Sequence, residues 1–213
     1  MPINRSRIGG IVNPTMRAIS TRLGVAARPV SLRIAGGAFY ARTKINWPPD
    51  PAVITLSEES LNDRPVLAHE LTHCLVPTRS LFLAEGFATL IGAEFRGDCS
   101  DFFFDCTDVD DAVRAYRPQL PPLREMAAET PDSRFYFDVA RSHMLDVRLA
   151  YVAAASFVRW WMTQTPDLAS RVADKDCAPA PVLMDTVFKQ PVGKIEDRWL
   201  SSLARPAGAG MPC

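Results

Sequence analysis

Residues 66–88 read Val66-Leu67-Ala68-His69-Glu70-Leu71-Thr72-His73-Cys74-Leu75-Val76-Pro77-Thr78-Arg79-Ser80-Leu81-Phe82-Leu83-Ala84-Glu85-Gly86-Phe87-Ala88. On a helix turning about 100° per residue, positions four apart lie about 40° from each other and one turn apart along the axis. His69 and His73 can therefore send two imidazole nitrogens to one metal ion. Glu70 stands one step round, beside that ion, where it can take a proton from a metal-bound water. The flanks suit a helix. Asp63 is placed to N-cap it, Pro65 falls in the first turn where a missing N–H costs nothing, and Pro77 ends the run. Apart from the three motif residues, positions 66–76 carry no charge, as expected of a helix running through the middle of a domain.

Two histidines at this spacing can also be ordinary surface or core residues. Against that, the whole chain of 213 residues has three histidines and two of them fall here. A catalytic zinc needs a third protein ligand and an open fourth position, and the next helical stretch offers Glu85 in Leu83-Ala84-Glu85-Gly86-Phe87-Ala88-Thr89. A purely structural zinc prefers a closed Cys and His set and has no use for Glu70. Cys74 points about 100° away from His73 and reads as a buried thiol.

HExxH followed by Glu-Gly-Phe-Ala resembles the gluzincin metallopeptidases, the clan of thermolysin and aminopeptidase N. In the aminopeptidase branch the third ligand sits in W-L-x-E-G-F-A, which Phe82-Leu83-Ala84-Glu85-Gly86-Phe87-Ala88 matches with Phe in place of Trp. The resemblance implies that His69, His73 and Glu85 bind one zinc ion per chain and that Glu70 is the general base. Eleven residues separate His73 from Glu85, fewer than in the large members, so the chain reads as a compact variant with a short turn at Pro77 to Ser80. Glu94 is the next candidate for third ligand, and Thr89, one turn beyond Glu85, is a candidate to hydrogen-bond a zinc-bound imidazole. Gluzincins present an oxyanion-stabilising Tyr or His from a downstream helical lobe. This chain offers Tyr116, Tyr136, His143 and Tyr151. Tyr151 is favoured because Leu149 to Trp161 is similar to a segment of compact bacterial gluzincin-like peptidases; His143 comes next.

Around this centre the N-terminal part reads as a small sheet. Pro14 to Leu23 suggests a short helix closed by Gly24, and Pro29 to Ile34 and Ala38 to Ile45 alternate as strands joined in a hairpin around Gly36-Gly37. Ala52 to Leu56 reads as a third strand directly before the zinc helix. In zinc peptidases the strand at this place is the sheet edge along which an extended substrate lies. Residues 1–49 hold eight basic residues and no acid, leaving 16 basic against 24 acidic residues afterwards. Arg17, Arg22, Arg28, Arg33 and Arg42 are spread singly without interleaved aromatics, which speaks for a solvated face and against nucleic acid. No apolar run approaches the length of a membrane span.

Downstream, Asp98, Asp101, Asp105, Asp108, Asp110 and Asp111 surround Phe102-Phe103-Phe104 without EF-hand spacing, and Asp108 is placed to N-cap Val109 to Tyr116. Cys99 and Cys106 flank those phenylalanines, either as a disulfide or as two free thiols; Cys177 with Cys213 is the other pairing open. A Cys99–Cys106 bond would speak for an oxidising, extracytoplasmic setting and a mature chain with Met1 added. Leu123 to Glu129, Ser133 to Met162 (bent near His143), Asp167 to Ala173, Pro181 to Lys189 and Lys194 to Ala204 read as helices. The small residues Ala153-Ala154-Ala155 would let one of them pack closely on another.

The expectation is thus one α+β, zincin-like domain over residues 1–213. It comprises a sheet lobe over about 1–63, zinc helices over 64–95 and a helical lobe over about 107–204. The expected activity is zinc-dependent hydrolysis of peptide bonds in a peptide or protein substrate. Aminopeptidases of the clan anchor a free amine with an acid from a G-x-M-E-N element. Gly36 to Thr43 holds no acid, so internal bonds are the expected target. Hydrolysis of a non-peptide amide or ester is one alternative. A binding module without turnover is another, and the intact Glu70 speaks against it.

Overall fold

The computed structural model describes residues 5–36, 41–45, 50–96, 108–128, 147–173 and 178–204. It is a mixed α+β structure, mostly helical, with a three-stranded sheet among the described residues. Helix α1 runs from Arg5 to Leu23, nine residues further upstream than the sequence suggests, with Pro14 inside it. The proline removes one backbone bond without ending the helix, and Thr15 Oγ1 donates to the Ile11 carbonyl at 2.9 Å beside it. Val12, Ile19 and Leu23 form its buried stripe, and Gly24 closes it at φ 64°.

Strands β1 (Val30–Ala35), β2 (Ala41–Lys44) and β3 (Ala52–Ser57) follow. Their order is β1-β3-β2, with β1 parallel and β2 antiparallel to β3. Two expectations are corrected here. First, β1 and β2 are not a hairpin: β3 lies between them, because its alternating Ala52, Ile54 and Leu56 supply the buried centre that either flanking strand pairs with. Second, β3 is therefore not the sheet edge. The edge strand beside the motif helix is β2, whose Thr43 pairs with Ile54 and reaches Glu70.

A short helix α2 (Glu58–Asn62), capped by Ser57 Oγ on the Ser60 amide, separates β3 from the motif helix α3 (Arg64–Leu75). Glu58 and Glu59 lie in its first turn, where carboxylates favour the helix dipole. Asp63 caps α3 as expected, accepting from Val66 N at 3.1 Å. After the turn, Ser80 caps α4 (Leu81–Glu94). The helical part contains α5 (Val109–Tyr116), α6 (Leu123–Ala127), α7 (Val147–Gln164), α8 (Leu168–Val172), α9 (Ala180–Phe188) and α10 (Val192–Ser202). Of the segment expected to be helical over Ser133 to Met162, residues 133–146 lie outside the described residues, as do Tyr136, His143, Cys99, Cys106, Cys177 and Cys213.

The elements stack in the order sheet, α3, α4, α7, α5. Two glycines thin α4 on opposite faces. A Cβ on Gly86 would stand 2.7 Å from Val158 Cγ2 and 2.8 Å from the Ala154 carbonyl oxygen, so α7 and α4 meet through backbone contact. A Cβ on Gly92 would stand 3.2 Å from the Pro65 carbonyl and 3.5 Å from His69 Cβ, which brings α3 equally near. Ala153, Ala154 and Ala155 are fully buried, and Ala154 lies in this seam. At the N-terminal side Arg22 joins α1 to α4 by bonds of 2.9 and 2.7 Å to Glu94. Arg17, Arg33 and Arg42 are exposed.

Candidate metal centre

Helix α3 carries two polar stripes in its otherwise apolar surface. His69 and His73, four apart, face α4; Glu70 and Cys74, one step round, face β2. On α4, Glu85, Thr89 and Gly92 recur at i, i+4 and i+7 and form the face turned to α3. The close approach allowed by Gly92 lets a carboxylate reach the imidazoles across the helix pair.

The result is a triangle of donor atoms. His69 Nε2 and His73 Nε2 are 3.2 Å apart, and Glu85 Oε2 lies 3.3 Å from the first and 3.6 Å from the second. Ligands at the corners of a tetrahedron around zinc, with bonds of about 2.0–2.1 Å, lie about 3.3–3.4 Å apart. The three side chains thus have the spacing that one small dication needs, and among the described residues they are a group that could hold a metal ion. The donor set of two imidazoles and a carboxylate suits zinc at a site with an open position. Glu85 Oε2 is buried and receives no well-directed hydrogen bond, and His73 Nδ1 has no partner among the described residues.

The electrostatics agree with a cation-seeking cluster. Burial works against ionised Glu85, but the neighbouring His73 and His69 outweigh it and hold the carboxyl well below the usual range. Burial likewise lowers the proton affinity of His73, yet the charge of Glu85, together with that of Glu70, raises it above the ordinary histidine value.

Glu70 is buried at 7% exposure, and its Oε2 accepts from Thr43 Oγ1 at 2.5 Å. Cys74 is a free, buried thiol, as expected; burial and the Glu70 charge push its pKa up to about 12. Tyr151 lies on α7, partly buried against the core. Burial and the charges of Glu85 and Glu70 raise its phenol above the ordinary tyrosine value, so the hydroxyl stays a donor. Glu94 is engaged by Arg22 and is not in the triangle. Thr89 is buried on the same face as Glu85 but hydrogen-bonds neither imidazole among the described residues. Tyr116 ends α5 and packs on the core.

Two parts of the centre are not evident in the motif. Thr43 lies 27 positions before Glu70. Its signal in the sequence is a polar residue at an inward position, since Ala41 and Thr43 alternate with exposed Arg42 and Lys44. Gly92 had a signal too, seven residues after Glu85. The aspartates of 98–111 that are described have structural partners: Asp108 caps α5 and, with Asp110, binds Arg159. No helix among the described residues is long and apolar enough to cross a membrane. No family model, curated protein or solved structure matches the chain.

Proposed function

We propose that this chain is a zinc-dependent metallopeptidase of zincin-like architecture that cleaves internal peptide bonds. The observation that carries the reading is the triangle of His69, His73 and Glu85, at tetrahedral spacing, with buried Glu70 one helical step away. Bound zinc supplies Lewis acidity, lowering a water's pKa to roughly 7 and polarising a carbonyl. Glu70 takes the water's proton and passes it to the leaving amine. Tyr151, which stays protonated, donates to the oxyanion that forms. The edge strand β2 is the place for an extended substrate backbone.

Nothing acidic precedes Asp50 in the chain, so a free substrate amine on that side would meet Arg42 and Lys44 without a counter-charge. The test has two arms. Purified protein is assayed for zinc by metal analysis, with one equivalent expected. Zinc-loaded protein is then offered peptides, their N-acetylated twins, and small amides and esters. Cleavage of the acetylated peptides at internal bonds is expected. Stepwise release from free amines, or turnover of small amides alone, overturns the endopeptidase reading.

A further inference from the structure

Strand β2 presents Ala41 and Thr43 to the interior and Arg42 and Lys44 to solvent. Its inward residues pair with Leu56 and Ile54, the buried centre of β3. An apolar residue would complete that face. Thr43 stands there instead, and its hydroxyl is 2.5 Å from Glu70 Oε2 and 3.2 Å from the Glu70 carbonyl oxygen. A threonine hydroxyl has one hydrogen to give. The shorter, charge-assisted contact to the carboxylate takes it. β-Branching limits the χ1 choices of Thr43, so the strand itself sets the direction of that bond. Among the described residues Glu70 Oε1 has no such donor.

We propose that Thr43 is the positioning residue for the base: its hydroxyl occupies Oε2 of Glu70, fixes the carboxylate plane and leaves Oε1 as the oxygen that takes the proton. The inference rests on the metallopeptidase reading. The water proton moves to Oε1 and then to the amine nitrogen as the C–N bond breaks, while Thr43 keeps its own proton throughout. The edge strand thereby has a second task besides any contact with substrate, because it orients a catalytic group on the adjacent helix.

The test uses the full zinc-loaded chain with Thr43→Val, which keeps the shape and removes the hydroxyl, and Thr43→Ser, which keeps the hydroxyl. Thr43→Val is expected to retain zinc and lower kcat roughly 10–100-fold with KM unchanged, and Thr43→Ser to recover most of the loss. Should Thr43→Val misfold, Thr43→Ala serves in its place. A second readout does not depend on activity. The carbon-13 resonance of the Glu70 carboxyl, identified by its loss in Glu70→Gln, should shift in metal-free Thr43→Val and return in Thr43→Ser. Unchanged kcat, or a fall in kcat with the resonance unmoved, overturns the proposal. If the zinc-loaded wild type hydrolyses no peptide, the functional reading fails by itself and the resonance alone decides whether Thr43 orients Glu70.

Discussion

Two clusters of charged side chains lie on either side of α4 and α7, and they differ in one respect. In the first, Arg159 Nη1 is 2.8 Å from both oxygens of Asp108 and 3.1 Å from Asp110 Oδ2. Ser156 Oγ donates to Asp110 Oδ1 at 2.5 Å and accepts from Trp199 Nε1 at 3.1 Å. Burial disfavours the Arg159 charge, but Asp110 and Asp108 outweigh it and raise its pKa. Every acceptor there has a donor, and three helices are stapled. In the second cluster, His69, His73 and Glu85 turn three Lewis bases to one point, and among the described residues no Lys or Arg pairs with them. A network that closes on itself is structural; a convergent set of electron donors with no fixed cation is what a metal ion completes.

The sharpest way to break this contrast is to remove a proposed ligand. Glu85→Ala and His73→Ala should lose zinc by more than the roughly 10–100-fold expected of a residue behind the ligands. Chelation should lower the Tm of the wild type but not of these variants, since a ligand bound at 100 times its Kd stabilises by about 2.7 kcal/mol. Stoichiometric zinc in Glu85→Ala would move the third ligand elsewhere. Glu70→Gln keeps shape and metal and removes basicity, so kcat should fall about 10²–10⁴-fold with zinc content unchanged. Turnover close to wild type would end the general-base assignment.

Tyr151→Phe should lower kcat about 10²–10³-fold and leave zinc in place. Because its phenol titrates above the ordinary value, the hydroxyl is fully present up to the tyrosine range and lost only beyond it. The wild type should therefore show no alkaline loss of kcat below pH 10 that disappears in Tyr151→Phe. Equal kcat in the two proteins would shift the role to His143. Gly86→Ala tests the seam both clusters share. Overpacking against the Ala154 carbonyl should cost about 1–3 kcal/mol, less the gain of about 1 kcal/mol in helix propensity. Denaturant unfolding reads it, and a more stable variant would mean the helices separate freely.

The one change expected to leave the metal and the turnover untouched belongs to the closed network. Ser156→Ala strands the buried Trp199 N–H and should cost about 1–3 kcal/mol of stability with zinc content and kcat unchanged. Loss of zinc in this variant would show that the two clusters are not independent.

Much of the centre was legible because it is local. Asp63, Pro65 and the spacing of His69, Glu70 and His73 act within a few residues, and the observed cap and helix follow them. Asp108 capping Val109 to Tyr116 is the same kind of reading, and the helix has those bounds. The strands were legible one by one from their alternation. Their order was not, since Gly36-Gly37 signals a reversal but says nothing of the strand that inserts between. The long N-terminal extension of α1 was missed because Pro14 reads as a start, although one lost backbone bond does not end a helix whose apolar stripe continues on both sides.

By itself the sequence determined which groups share a helical face: two imidazoles one turn apart, a carboxylate one step round, and a second carboxylate in a glycine-bearing helix. Those relations follow from 3.6 residues per turn and need no partner. Only the tertiary structure decided that Glu85 comes within 3.3 and 3.6 Å of the imidazoles, and that Thr43, far upstream, meets Glu70. Both depend on the distance between packed elements. That distance is set by what both surfaces lack, a Cβ at Gly86 and Gly92 and bulk at Ala154, and by β3 lying between β1 and β2. Such a distance belongs to pairs of elements, and no single stretch of chain contains it.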